Sequence, residues 1–207
     1  MTFSDIHIHL LYGVDDGSAT IEEMKALTDY VYSYGTRYLC VTPHCCPAMF
    51  GDNRASTEQS FLELKSYCAE KYPDLALSLG NELYCSGDNL SWIKSGYCNT
   101  LGNTRFVLLE FDEFSPFSAI SKAVKTVLNS GYVPIIAHAE RYIKLGTRAV
   151  EQLRRDGAKI QVNAVADLGS ALALGEAAEH LHFVFVAVAL HRQHGGGESL
   201  LDRLLRG

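Results

Sequence analysis

Two histidines carry the first chemical signal in the chain. His7 and His9 flank Ile8 in the run Asp5-Ile6-His7-Ile8-His9, which leads into Gly13-Val14-Asp15-Asp16-Gly17. Alternate side chains of an extended strand share a face, so this spacing predicts both imidazoles on one side and Ile6 with Ile8 on the other. A pair of neutral imidazoles makes half a site for zinc, manganese or iron. A solvated edge strand would give the same spacing, but the apolar opposite face and the Gly/Asp-rich turn favour a ligand pair. Further along, His44, Glu82, Glu110 and His138 each fall at the C-terminal end of a separate predicted strand, and His191 follows the last one. Mixed imidazole and carboxylate donors suit two or three divalent ions, because carboxylates can bridge ions about 3.5–4 Å apart.

The elements that must position these residues alternate. A strand is predicted over 4–9. A helix follows, capped by Thr20 with Glu23 three residues on, and stops at Gly35. Further strands are predicted at 37–41, 75–79, 105–109, 133–137, 159–162 and 181–188, and helices at 56–71, 118–130, 147–156 and 170–180. Residues 47–55 and 85–103 read as loops, the second with a short apolar piece around Trp92. About seven strand–helix repeats imply a parallel sheet with helical crossovers, either doubly wound or closed into a barrel. In a barrel, the C-terminal strand ends converge on one mouth.

Composition narrows the function classes. The chain has 207 residues, 47% of them hydrophobic and 20% charged, as expected for one globular domain. The net charge of −6 argues against a nucleic-acid partner, which calls for a basic surface. No apolar run approaches the roughly 18–20 residues of a membrane span, and no signal peptide is evident at the start. The six cysteines form no C-x-x-C pair, so they read as reduced thiols of a cytoplasmic protein. A cysteine-nucleophile phosphatase would need a phosphate-cradling loop closed by arginine. Cys45 and Cys46 are followed by Pro47-Ala48-Met49, and Arg54 comes too late to close such a loop.

Taken in order, Asp-Ile-His-Ile-His, Gly-Val-Asp-Asp-Gly, Thr-Pro-His, Gly-Asn-Glu, Leu-Leu-Glu-Phe and Ala-His-Ala-Glu-Arg resemble the polymerase and histidinol phosphatase (PHP) superfamily. The similarity is strongest to its branch of bacterial capsule- and exopolysaccharide-associated tyrosine phosphatases, and covers roughly residues 4–186. The resemblance implies a distorted (β/α)7 TIM-like barrel in a single domain over 1–207. It implies two to three divalent ions, manganese foremost and iron or zinc as alternatives, held by His7, His9, His44, Glu82, Glu110, His138 and His191. Arg141 would contact the phosphate, and Asp16, rather than Asp15, would transfer a proton or position water. The implied reaction is hydrolysis of phosphotyrosine on a protein, a bacterial tyrosine kinase of polysaccharide export. A histidinol-phosphate-type small-molecule phosphatase and a metal-binding protein with weakened turnover are the alternatives. The chain departs from the family at Val188-Ala189-Leu190-His191, where Ser-Asp-Ala-His is usual, so one carboxylate ligand is missing. From about residue 187 the sequence reads as an atypical, shortened segment, with Gly195-Gly196-Gly197 soon after.

Overall fold

The computed structural model describes residues 2–86 and 90–163, together with the backbone of 184–186. In chain order the strands are β1 (Phe3–Ile8), β2 (Thr36–Val41), β3 (His44–Cys45), β4 (Ala76–Leu79), β5 (Glu82–Tyr84), β6 (Phe106–Glu110), β7 (Val133–Ile136), β8 (Lys159–Asn163) and β9 (Val184–Val186). The helices are α1 (Ile21–Ser33), α2 (Pro47–Phe50), α3 (Arg54–Lys71), α4 (Ser91–Ser95), α5 (Phe117–Asn129) and α6 (Thr147–Arg155). Every strand pairing is parallel. One sheet has the order β1-β2-β4, and the other β3-β5-β6-β7-β8-β9.

Two interrupted strands join the sheets. β2 and β3 are separated by Thr42-Pro43, and β4 and β5 by Gly80-Asn81. The ladder still passes the break, since Gly80 N–H donates to the Val41 carbonyl (2.9 Å) and Glu82 N–H to that of Pro43 (3.1 Å). Asn81 pins it, donating its side-chain amide to the Pro43 carbonyl (3.0 Å) and accepting Asn99 N–H (2.8 Å). Gly80 lets Leu101 pack closely there: a Cβ would lie 2.7 Å from its Cδ2 and 3.1 Å from its Cα. The breaks therefore aim the residues after them, His44 and Glu82, without cutting the backbone hydrogen bonding.

The sheet is buried on both faces, as parallel sheets are. Leu108 and Ile135 enter an inner cluster with Ile6, Tyr38, Cys40, Leu101, Phe106 and Ala137. Their neighbours Leu109 and Ile136 face out, under Ile120, Val124 and Val127 of α5 and Val150 and Leu153 of α6. Each such fully buried aliphatic side chain contributes on the order of 1.5–3 kcal/mol. α1 begins as its sequence predicts: Thr20 Oγ1 accepts Glu23 N–H (3.2 Å), while Glu23 reaches back to Ala19 N–H (2.7 Å).

Three local readings are corrected. Ile6 and Ile8 do not share a face: Ile6 lies in the inner cluster, and Ile8 packs outside with Leu39 and Val41. The cause is a bulge in β1, where Asp5 pairs with Leu39 and Ile8 with Val41, so β1 uses one residue more than β2. Residues 47–55 hold α2 and the start of α3, because Pro47 at the first helical position is preset for a helix. Residues 85–103 hold α4 and a 3₁₀ turn at Leu101–Asn103.

The predicted helix over 170–180, Ala189 and His191 lie outside the described residues. β9 falls within the predicted last strand, and its Cα atoms come within 8 Å of β1. No ladder joins β9 to β1 among the described residues, so the fold stands as α/β with parallel sheets. No helix among the described residues is long and apolar enough to cross a membrane.

Candidate metal centre

The strand ends bring six of the predicted residues to one place. Glu82, at the start of β5, is the hub, with its side chain only 1% exposed. Its Oε2 lies 3.0 Å from His7 Nε2, 3.0 Å from His9 Nε2 and 3.5 Å from His44 Nδ1. Its Oε1 lies 2.9 Å from His138 Nε2. Glu110, ending β6, approaches His44 Nδ1 (3.5 Å) and His138 Nε2 (3.4 Å) from the other side. Asp16 sits at the open rim, 68% exposed, with Oδ1 3.5 Å from His44 Nε2 and 3.9 Å from His9 Nδ1. Charge thus runs from a dry floor at Glu82 to a wet mouth at Asp16.

The turn after β1 sets the imidazole of His9. Asp15 Oδ2 accepts from His9 Nδ1 (2.8 Å) and from His44 N–H (2.8 Å), while its Oδ1 accepts Gly17 N–H (3.0 Å). A carboxylate taking backbone N–H bonds is an acceptor only, so His9 presents Nε2 to Glu82. Gly17 has no room for a side chain, since a Cβ would lie 2.3 Å from the His9 carbonyl oxygen. Asp15, the less favoured of the two aspartates in the sequence, therefore orients His9 from behind, and Asp16 faces the opening.

His138 follows β7 with φ 29° and ψ 56°, a conformation rare outside glycine, and begins a 3₁₀ turn over Ala139–Arg141. Such strain costs on the order of 1–3 kcal/mol and is concentrated at functional sites. The turn leaves Arg141 exposed, with no side-chain hydrogen bond or ion pair among the described residues. The adjacent Glu140 makes no ion pair with it: Glu140 Oε1 accepts Asn163 N–H (3.3 Å).

The donors fit divalent cations. His7 Nε2, His9 Nε2 and Glu82 Oε2 are 3.0–3.3 Å apart, close to the ligand–ligand edges that bonds of about 2.0–2.2 Å produce. His44 Nδ1 is buried without a hydrogen bond yet faces two carboxylates, the environment of a nitrogen awaiting a cation. Three groups have mutually close donors: His7–His9–Glu82, His9–Asp16–His44 and His44–Glu82–Glu110. Burial works against a charged His9, but hydrogen bonds to Asp15 and Glu82 raise it to about 10. Burial likewise opposes, and Glu110 and Glu82 outweigh it, in raising His138 to about 9. Burial of Glu82 is overcome by His7, His138 and His9, which hold its carboxyl well below the usual range.

Sequence reading missed Gln161, in the middle of β8 and fully buried. Its Oε1 meets His7 Nδ1 (3.1 Å) and His138 N–H (2.5 Å). A lone glutamine in an apolar strand carries no pattern, so only the buried polar position between charged strand ends could have marked it. No cysteine belongs to the three donor groups: Cys45 and Cys46 are buried, and burial raises Cys40 and Cys68 to about 11.

The class is that of parallel α/β proteins with an imidazole–carboxylate cluster at the strand ends, a donor set suited to divalent metal ions. Within it, the chain belongs to the capsular polysaccharide synthesis family CpsB/CapC, whose profile matches residues 3–181. The tyrosine-protein phosphatase CpsB of Streptococcus agalactiae serotype III (strain NEM316) is 33% identical over 161 residues, 77% of this chain and 66% of that protein. The putative tyrosine-protein phosphatase CapC of Staphylococcus aureus is 28% identical over 167 residues, 80% of this chain and 66% of that protein. The chain thus spans just under two thirds of these relatives. The solved structures of YwqE from Bacillus subtilis and CpsB from Streptococcus pneumoniae, described as unique metal-dependent tyrosine phosphatases, share the fold. Their TM-score is 0.70 at 23% identity, over 77% of this chain and 65% of the other. The family match ends before Val188–His191, where the sequence departs.

Proposed function

We propose that this chain is a metal-dependent phosphomonoesterase acting on phosphotyrosine in a protein. A tyrosine kinase of capsular or extracellular polysaccharide export, met in the cytoplasm, is the natural substrate of that chemistry. The observation that carries the reading is Glu82, ringed by nitrogens of His7, His9, His44 and His138 and opening toward Asp16. Two or three divalent ions, manganese foremost, would be held by His7, His9, His44, Glu82, Glu110, His138 and, from the last strand, His191. When bound, such ions supply counter-charge for a phosphate dianion and acidify water near neutral pH. Closure of β9 onto β1 would complete the (β/α)7 barrel, a single domain over 1–207, and bring His191 to the same mouth.

The chain's own residues do the rest. Glu82 and Glu110, fixed by their imidazole partners, would hold the ions in place before charge develops, so little reorganisation is required. Arg141, exposed and unpaired beside His138, would grip two non-bridging oxygens through parallel hydrogen bonds. Asp16, at the wet rim, would orient water or move a proton. Phe50 stacks on the His44 ring (centroids 5.2 Å, 10° between planes), and Met49 beside it is exposed. That apolar rim suits the phenyl ring of a phosphotyrosine better than a wholly polar phosphomonoester.

The test is metal analysis and kinetics on one preparation. We expect at least one bound transition-metal ion per chain and faster turnover of a phosphotyrosine peptide than of histidinol phosphate. Preference for the small ester would reassign the substrate. Bound metal without turnover of either would make the chain a binding protein.

A further inference from the structure

We infer that Gln161 is a positioning residue that selects Nε2 of His7 as the ligating nitrogen and couples it to the strained His138 turn. The inference rests on the metal-centre reading above and goes beyond it, because Gln161 directs its carbonyl oxygen to His7 and His138 N–H.

A backbone N–H can only donate, so the atom facing His138 N–H at 2.5 Å must be an acceptor, the carbonyl oxygen Oε1 of Gln161. The amide nitrogen then points the other way and donates to Asn163 Oδ1 (2.8 Å). Asn163 is tethered in turn, its backbone N–H donating to Glu140 Oε1 (3.3 Å). The same Oε1 lies 3.1 Å from His7 Nδ1. An acceptor there requires the proton of neutral His7 to sit on Nδ1. Nε2 is left free to ligate a cation shared with Glu82 and His9, whose donor atoms lie on the same side. Asp15 likewise accepts from His9 Nδ1, so the two imidazoles of the H-x-H pair are oriented by unlike partners, one charged and one neutral. A neutral amide fits the His7 position, because it satisfies a buried donor without adding negative charge to a floor that already holds Glu82.

Gln161 also serves two strands at once. His7 belongs to β1 and His138 follows β7, and one oxygen on β8 holds both. The unusual backbone of His138 is thereby tied to the orientation of His7, so neither can turn without breaking a bond to the other's support.

The test uses zinc and the full chain. In the zinc-loaded protein, ¹⁵N-labelled histidine spectra should show His7 protonated at Nδ1 and metal-bound through Nε2. Zinc on Nδ1 overturns the inference without recourse to any variant. Gln161→Met keeps the volume and removes the acceptor, and should weaken zinc binding by about 10–100-fold in competition with a chromophoric chelator, the usual effect of losing an outer partner of a ligating histidine. Gln161→Glu restores an acceptor oxygen and should recover most of that loss. A folded Gln161→Met protein with wild-type zinc affinity refutes the role of Gln161. Failure of the wild type to bind zinc at all would instead remove the metal centre itself.

Discussion

Gly17→Ala tests the positioning of His9 most directly. The added Cβ would stand 2.3 Å from the His9 carbonyl oxygen and 2.9 Å from its carbonyl carbon and Cβ, where ordinary contacts begin at 3.4 Å. The turn and the strand end must therefore separate by about 1 Å. The obstacle is backbone, so no rotamer change relieves it. Overpacking of this kind costs about 1–3 kcal/mol of stability, and a displacement near 1 Å at a reacting centre costs about 10²-fold in rate. Moving His9 also stretches its 2.8 Å hydrogen bond to Asp15 and its 3.0 Å approach to Glu82. Gly13→Ala, in the same turn, is the control. It has φ +66° but open space around its Cβ, so it should cost about 1–2 kcal/mol of backbone strain and leave the site unchanged. Denaturant unfolding, metal content and turnover would be measured on both variants and the wild type. The expected pattern is comparable destabilisation in both, with metal affinity and activity lost only in Gly17→Ala. Wild-type metal content and rate in Gly17→Ala would refute the claim that this turn buttresses His9.

Arg141→Lys keeps the charge but not the planar two-pronged donor, and should lower kcat/KM by about 10²-fold with metal content unchanged; wild-type kinetics would return Arg141 to the surface. Chelation should abolish phosphatase activity while thiol alkylation spares it, since Cys40, Cys45, Cys46, Cys68 and Cys98 are buried; inactivation by alkylation at full metal content would point to a thiol. Ala189→Asp, which supplies the carboxylate that the family carries there, should raise both metal stoichiometry and turnover, each factor of ten in rate corresponding to about 1.4 kcal/mol. Gain of neither would mean that residue 189 is misaligned with the family's aspartate.

Much of the site was legible because its signals are local. His7 and His9 are two residues apart, and Thr42-Pro43-His44 and Gly80-Asn81-Glu82 each end a strand with a turn-forming pair before the donor. What those pairs do was less legible: they interrupt strands that resume, because the Asn81 side chain and the Gly80 and Glu82 amides restore the hydrogen bonds across the break. The β1 bulge left no mark, since no glycine or proline falls between Asp5 and Ile8 and the extra residue is set by pairing with β2. Gln161 was invisible for a related reason. Its partners, His7 and His138, lie 154 and 23 residues away, and only tertiary structure brings them to one oxygen.

The two interrupted strands divide the donors by sheet. His7 and His9 come from β1 and its exit, in the three-stranded sheet, whereas Glu82, Glu110 and His138 belong to the six-stranded one. An ion shared between them, as proposed above, would tie together strand ends from both sheets. Because it binds the assembled arrangement alone, it adds its own binding free energy to the native state, about 2.7 kcal/mol when free metal stands a hundredfold above its dissociation constant. Without metal, the strand ends around Thr42-Pro43 and Gly80-Asn81 would lose that added protection. Hydrogen exchange at the Gly80 and Glu82 amides, which hold the two interrupted strands side by side at their breaks, would then read out how much a bound ion contributes.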